Sequence, residues 1–489
     1  MREALIFILR FDLYIIIFFA TLLWFAIFET SIHMLQLNSY RNDTHIKWLF
    51  QNLAKTYFGG KSKSETKKPL VYTKRVIRMF VTAFVVYFVI VHLLIITGWY
   101  LAVPALVVLA PLFPLFANII NAPLEKANNR RYINDAKRII ASRPDLVTIG
   151  ITGSYGKTST KYYLHKLLSV KYNVLMTPES YNTTLGVVKT IRNELRATHE
   201  VFVCEMGMKW KGDIAELCDI AKPKHAMITS IGPQHLESMK TLENIIEEKF
   251  SITDTISDGS VFLNYDNEHI RERKIDKKIV KYGISHSQVD YEARDIKVSE
   301  KGTSFTIYAP GGESAAYETP LIGSHNVQNI VGAIAVSHSL GISLNELVLP
   351  VKRLECAPHR LQINSAGGNI IIDDSFNSNP VGAKAALDTL KIFDGVKILI
   401  TPGMVELGDK SYDLNKAFGE QAADSCDYAL LIGQKQAPPI KAGLLEKGFP
   451  EDKVLVFDSF KEGMAFANEI DSSGGKKVIL IENDLPDNY

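Results

Sequence analysis

The chain has 489 residues, enough for about three domains. Its 55 Lys and Arg nearly balance its 53 Asp and Glu, leaving a net charge of +2, which argues against a generic nucleic-acid binder. A hydrophobic share of 47% and four scattered cysteines exclude wholesale disorder, a collagen and a disulfide scaffold, and the absence of a CxxC pair gives no zinc signal.

The mean hydropathy of +0.04 averages two unlike regions. Leu13–Phe28 is an apolar run, and Met79–Leu124 contains no Lys, Arg, Asp or Glu, a stretch too long for one membrane span and suited to two. The turn between those two is expected at Thr97-Gly98-Trp99-Tyr100. The first run lacks an A-x-A-like flank and more spans follow, so it reads as a retained span and not a signal peptide. Residues 37–78 are rich in Lys and Arg, with only Asp43 and Glu65 opposing, and such a loop stays cytoplasmic. The expectation is a membrane region of about three transmembrane helices over 1–124, a multi-pass anchor in the cell membrane with its N-terminus outside. Residues 125–144 are expected to form a connecting helix, and everything after them to be cytoplasmic.

Beyond Pro144, short apolar runs alternate with helical stretches: Leu146–Ile151, Val201–Cys204, Ala226–Ile231, Val261–Asn264, Ile370–Asp373, Val396–Thr401, Tyr428–Ile432 and Val478–Ile481. That alternation predicts an α/β fold of βαβ units around mostly parallel sheets, with a small β insertion at 278–310. Two domains are expected, 145–356 and 357–489.

The first of these strands runs into Thr152-Gly153-Ser154-Tyr155-Gly156-Lys157-Thr158-Ser159 and then a helix. Glycines let backbone N–H groups wrap phosphate oxygens, and the helix N-terminus adds positive partial charge. Lys157 is placed to reach the β- and γ-phosphates of a nucleotide, and the Thr158 hydroxyl to ligate magnesium.

This loop resembles the nucleotide loop of the Mur ligases, the amide-forming enzymes of peptidoglycan precursor synthesis. Six further motifs follow in that family's order: Cys204-Glu205-Met206-Gly207, Thr229–Glu237, Glu248-Lys249-Phe250, His325-Asn326-Val327-Gln328-Asn329, Asp373–Pro380 and Gly403–Gly408. The last two resemble the MurF branch, which adds D-alanyl-D-alanine. The resemblance implies a P-loop-type central ATPase domain and a Rossmann-like C-terminal domain. It also implies an ATP-dependent acid–amino-acid ligase acting through an acyl phosphate.

The resemblance further implies roles for single residues. Gly153, Ser154, Gly156, Lys157, Thr158 and Ser159 would bind ATP, with Asn326 and Asn329 holding the adenine, Arg360 crossing to the phosphates and Asp374 contacting the ribose. Two Mg²⁺ ions would be held by Thr158, Glu205, His235 and Lys249, the last as a carbamate formed with CO₂. Lys157, Lys249, His235 and Arg360 would be the catalytic set, and Thr183, Thr184, Asn377 and Glu406 the substrate side.

Three departures from the family pattern stand out. Membrane spans replace the UDP-sugar-binding domain, which points to a lipid-linked cell-envelope carboxylate as acceptor for an amino acid or dipeptide. Asn415 stands where the family has a histidine after its ELG motif. Glu482-Asn483-Asp484 replaces a late KGS motif, exchanging a cation for anions on the amine-binding side, so the added group need not be D-alanyl-D-alanine. Two other readings stay open: a polyglutamate or folylpolyglutamate-type ligase, and a nucleotide-binding membrane scaffold that forms no bond.

Overall fold

The computed structural model describes residues 2–58, 69–376, 378–405, 407–471 and 475–483. The chain divides into two compact units, with a division between residues 131 and 132.

The N-terminal unit is helical. Its principal helices are Arg2–Leu37, Asn42–Gln51, Lys74–Ile96 and the start of Phe113–Ala141. Three stretches, Tyr14–Leu37, Lys74–Ile96 and Ala105–Ala141, are long and apolar enough to cross a membrane. Only 28%, 22% and 44% of their most apolar windows are buried, so most of that surface faces outward, as lipid-facing helices require. The second ends at Ile96, and Gly98 turns the chain with φ of 80°, at the expected place. The second half of the expected third span and the expected connecting helix form one continuous helix, Phe113–Ala141, which accommodates Pro123; the first half is broken into the short helices Ala105–Leu109 and Ala110–Leu112.

Trp24 anchors the interior of this unit, stacked on Phe28 and Tyr87 at 5.1 and 4.4 Å and edge-on to Phe113 at 5.1 Å. Several polar groups between these helices are paired, as a low-dielectric setting favours, although Trp24 Nε1 and the Asn38 amide are buried without a hydrogen bond among the described residues. Ser31 donates to the Pro111 carbonyl at 2.7 Å, and Arg78 pairs with Glu125 at 2.5 Å.

The second unit contains two sheets. The strands of the first are β1 (Val147–Thr152), β2 (Val174–Met176), β3 (Val201–Glu205), β4 (His225–Ile228), β5 (Ser260–Asn264), β6 (Lys278–Gly283), β7 (Tyr291–Ser299), β8 (Gly302–Tyr308) and β9 (Ser314–Thr319). They form one nine-stranded sheet in the order β2-β3-β1-β4-β5-β6-β7-β8-β9, parallel from β2 to β7 and antiparallel beyond. The predicted insertion is therefore the edge of the main sheet, reaching Thr319 and not stopping at 310.

The second sheet holds β10 (Gln362–Ala366), β11 (Asn369–Asp374), β12 (Val396–Thr401), β13 (Tyr428–Ile432), β14 (Val454–Phe457) and β15 (Lys477–Glu482). Its order is β10-β11-β15-β12-β13-β14, parallel except for the β10–β11 hairpin. Central strands such as β1, β3 and β5 are buried almost throughout, which is why they read as unbroken apolar runs. Loops leaving the C-terminal ends of parallel strands are where open α/β sheets bind ligands, and here they carry five of the seven motifs noted above.

Candidate active site

The phosphate loop leaves β1 and enters the helix Lys157–Leu168. Gly156 has φ of 81°, a conformation that favours glycine, and a Cβ there would lie 2.5 Å from the Asn329 side chain. A Cβ on Gly153 would sit 2.0 Å from the Thr229 hydroxyl, so Gly153 is required for packing and does not itself line the cavity.

The segment after β4 pins this loop. Ser154 N–H donates to the Ser230 carbonyl at 2.7 Å, and Ser230 Oγ accepts from Tyr155 N–H at 2.9 Å. Thr229 Oγ1 donates to the Tyr155 carbonyl at 2.5 Å, and Gly232 N–H donates to Ser154 Oγ at 3.0 Å.

A cavity of about 650 Å³ opens over the loop. It brings together Ser154, Gly156, Lys157, Thr158 and Ser159 with Thr183, Thr184, Glu205, His235, Lys249, Asn326, Asn329, Arg360 and Asp374. Asn377 and Glu406 lie outside the described residues.

Lys157 folds back onto its own loop, donating to the Gly153 carbonyl at 2.7 Å. Loss of hydration pulls its ammonium down to about 8, an effect that Glu205 opposes and Arg360 reinforces. Lys249 lies on the helix Leu242–Phe250, is 1% exposed, and its Nζ makes no hydrogen bond or ion pair among the described residues. Burial drives its ammonium well below the usual lysine range, and Lys157 adds to that. The neighbouring Glu248 accepts from the Gly212 and Ile214 N–H groups, both at 2.8 Å, and so locks this helix against Asp213–Ala221. His235 begins a short helix with φ of 55°, at the cavity wall.

Glu205 ends β3 and is 1% exposed. Burial raises its carboxyl, but Lys161 and Lys157 outweigh that and hold it below the ordinary value. Thr158 Oγ1 and Asn182 Nδ2 donate to its Oε1 at 3.1 and 3.0 Å. Lys161 Nζ lies 3.1 Å from Oε2, near enough for charge pairing but not aligned as a hydrogen bond, so Oε2 is a buried acceptor with no directed donor. An all-oxygen set of this kind, with one lone-pair direction still open, fits a hard divalent cation such as Mg²⁺.

The asparagines differ from expectation. Asn326 Oδ1 accepts from the Tyr163 hydroxyl at 2.7 Å and its Nδ2 donates to the Ile322 carbonyl at 2.9 Å, so much of its amide is spent inside the fold. Asn329 packs on the phosphate loop, with Oδ1 3.3 Å from Thr160 Oγ1.

Arg360 sits between two residues with left-handed backbone, His359 (φ 58°) and Leu361 (φ 50°). Each such residue costs about 1–3 kcal/mol, so something must hold them. Leu361 N–H donates to Asp374 Oδ1 at 3.1 Å, and the His359 ring meets Asp373 at 2.8 Å. Burial pushes the Asp374 carboxyl up to about 6, against the pull of Arg360.

Of the late anionic segment, Glu482 and Asn483 lie one residue behind the cavity wall, bonded to Ser378, which lines it. Glu482 is fully buried. Glu482 accepts from Thr401 Oγ1 at 2.7 Å and from the Ser378 hydroxyl. Asn483 donates to the Gly403 carbonyl at 2.6 Å and accepts from Ser378 N–H at 3.1 Å. They staple the loops after β11 and β12 together; Asp484 lies outside the described residues. Asn415 likewise secures the turn at Met404, bonding that residue's N–H and carbonyl at 2.9 and 3.0 Å.

Sequence reasoning passed over Lys161, Asn182 and Ser230. The only signal for Lys161 was its place one helical turn after Lys157, and nothing local marks a lysine as buried.

The Mur ligase middle domain matches residues 151–337, and the Mur ligase glutamate ligase domain matches 359–481. A UDP-N-acetylmuramoyl-tripeptide–D-alanyl-D-alanine ligase of Bacillus subtilis is 32% identical over 330 residues, covering 67% of this chain and 71% of its own. The chain belongs to the Mur ligase family.

Among solved structures, MurF from Acinetobacter baumannii aligns at a TM-score of 0.66 with 27% identity, over 73% of this Mur ligase and 77% of that chain. MurF from Thermotoga maritima, solved in complex with ADP, shares the fold at a TM-score of 0.63 with 24% identity, over 72% and 80% of the two chains. The α/β architecture of both Mur ligase domains is thus that of the MurF branch.

Proposed function

We propose that this protein is a membrane-anchored, ATP- and Mg²⁺-dependent amide ligase of the MurF type, joining an amino acid or dipeptide to a carboxylate of a cell-envelope precursor. The observation that carries this reading is the convergence of Lys157, Thr158, Glu205, His235, Lys249 and Arg360 on one cavity over the phosphate loop.

A carboxylate does not condense with an amine at neutral pH. Its oxygen attacks the γ-phosphorus of ATP and ADP leaves, giving an acyl phosphate. The amine nitrogen then attacks the acyl carbon, phosphate leaves, and an amide remains. The backbone N–H groups of Gly156 and Lys157 would cradle the phosphates, while Lys157 and Arg360 would neutralise the transferring charge. Thr158 and Glu205 would hold one Mg²⁺, which would supply positive charge to offset that of the phosphates.

Lys249 is the one ammonium at this wall without a partner among the described residues. As a carbamate it would give, with His235, an oxygen and a nitrogen donor for a second ion. Asn329 and Asp374 would meet the nucleoside, with Asn326 bracing the helix Lys157–Leu168 through Tyr163. By the family resemblance, Thr183, Thr184, Asn377 and Glu406 would serve the substrate side.

The proposed organisation is an anchor at 1–124, a connecting segment at 125–144, an ATP-binding domain at 145–356 and a closing domain at 357–489. The anchor would cross the cell membrane three times, with both catalytic domains in the cytoplasm. An enzyme held at that surface meets a lipid-linked acceptor in two dimensions, which supports such an acceptor over a freely diffusing UDP-linked one. The curated MurF relatives favour this reading over a folylpolyglutamate-type ligase.

Mass spectrometry of precursors after depletion of the protein tests the assignment. An unextended lipid-linked precursor should accumulate; accumulation of an unextended UDP-linked tripeptide instead would overturn the lipid-acceptor reading.

A further inference from the structure

Lys161 has no part in the chemistry described so far, yet it is completely buried in the wall beneath it. It lies one turn beyond Lys157 on the same helix. Lys157 points up to the phosphate loop, whereas the Lys161 ammonium has two partners below. One is Glu205 Oε2 at 3.1 Å, and the other is the main-chain carbonyl of Glu179.

Glu179 belongs to the Thr177–Thr183 loop, which leads to the proposed acceptor residues Thr183 and Thr184. That loop carries a left-handed residue at Glu179 itself, with φ of 43°. Two further anchors reach Glu205. Thr177 Oγ1 accepts from Glu205 N–H at 3.1 Å, and Asn182 Nδ2 donates to Glu205 Oε1 at 3.0 Å. Gly207 N–H closes the set by donating to the Asn182 carbonyl at 2.8 Å, and a Cβ at Gly207 would strike the Asn182 side chain at 2.7 Å.

Of these ties, those of the Asn182 amide and Lys161 run through the Glu205 carboxylate, while Thr177 N–H fixes the start of the loop to the Val203 carbonyl at 3.0 Å. We propose that Lys161 is a positioning residue that ties the conformation of the Thr177–Thr183 loop to the ligation state of Glu205. This rests on the reading of Glu205 as a Mg²⁺ ligand. When Glu205 shares its charge with a bound dication, Lys161 loses part of its ionic partner and keeps the Glu179 carbonyl. The loop is then held by a cation that has one fewer competing claim on it. A buried ammonium is suited to this work because it cannot turn to water instead. A coupling of this kind needs only that the two states of Glu205 interact differently with Lys161, which the geometry supplies.

Hydrogen–deuterium exchange on the full chain in detergent tests it, with the non-hydrolysable ATP analogue AMP-PNP as probe. With Mg²⁺ present, the analogue should slow exchange both in peptides covering 153–160 and in those covering 177–186, the latter by at least about threefold. With EDTA in place of Mg²⁺, only 153–160 should respond. In Lys161→Met the 153–160 response should remain and the 177–186 response should vanish, and Lys161→Arg should restore it. If Lys161→Met does not fold, Lys161→Gln, which keeps a donor but no charge, takes its place. A 177–186 response of wild-type size in a folded neutral variant would overturn the proposal. No response at 153–160 in the wild type would instead overturn the nucleotide-site reading on which it rests.

Discussion

The His359 ring lies 2.8 Å from the Asp373 carboxylate, and this pair holds one side of Arg360 while Asp374 holds the other through Leu361 N–H. Two consecutive aspartates thus clamp both neighbours of one arginine. Arg360 reaches the cavity from the turn before β10, so its aim depends on that clamp. Misplacing a catalytic group by about 1 Å can cost on the order of 100-fold in rate, so Asp373→Asn should lower kcat at least about tenfold. Steady-state kinetics beside thermal unfolding checks this; an unchanged kcat would remove Arg360 positioning from Asp373's roles.

Lys157→Ala should lower turnover by at least about 100-fold, the scale seen when a preorganised group facing transition-state charge is removed. Lys249→Ala should also lose turnover, and added short-chain carboxylates should partly restore it by filling the position of the carbamate. Full activity in Lys249→Ala would sink the carbamate assignment.

Asn326→Ala separates two roles for that amide. Its removal leaves the buried Tyr163 hydroxyl and Ile322 carbonyl unpaired, a cost of about 1–3 kcal/mol. The unfolding midpoint should fall while KM for ATP changes little. A large rise in KM with unaltered stability would return Asn326 to direct contact with the base.

Glu482 makes stability depend on pH. Burial raises its carboxyl from the ordinary value to about 7, with Ser378 and Thr401 pulling the other way. The folded state therefore binds a proton more readily than the unfolded state between about pH 4.5 and 7. Its contribution is fully present below that window and is lost as pH rises through 7. Glu482→Gln should flatten this part of the stability–pH curve, measured by denaturant unfolding from pH 5 to 8. A curve of unchanged slope would contradict the assignment to Glu482.

Much of this was legible in the sequence because the central strands are buried on both faces. β1, β3, β5 and β12 read as apolar runs for that reason. β2 has three residues, too few to show a period, and β10 is the polar edge segment Gln362–Ala366. Both were invisible to patterning. The site was legible where a motif fixes chemistry locally, as at Gly153–Thr158. It was not legible where burial decides, since Lys161 reads as an ordinary helix lysine and Glu482 as a surface anion until the fold encloses them. The apolar runs at the N-terminus carried their message in length alone.

The most direct measurement reconstitutes the full-length protein in vesicles with Mg²⁺ and ATP. Lipid-linked and UDP-linked muramoyl-peptide acceptors are supplied in turn, each with D-alanyl-D-alanine or single amino acids. ADP release and the amide product are then followed together. The account predicts ADP release well above background only when acceptor and amine are both present, matched one-to-one by amide, and fastest with a lipid-linked acceptor. ATP bound tightly with no ADP release and no amide in any combination would contradict it, and would leave a nucleotide-binding scaffold.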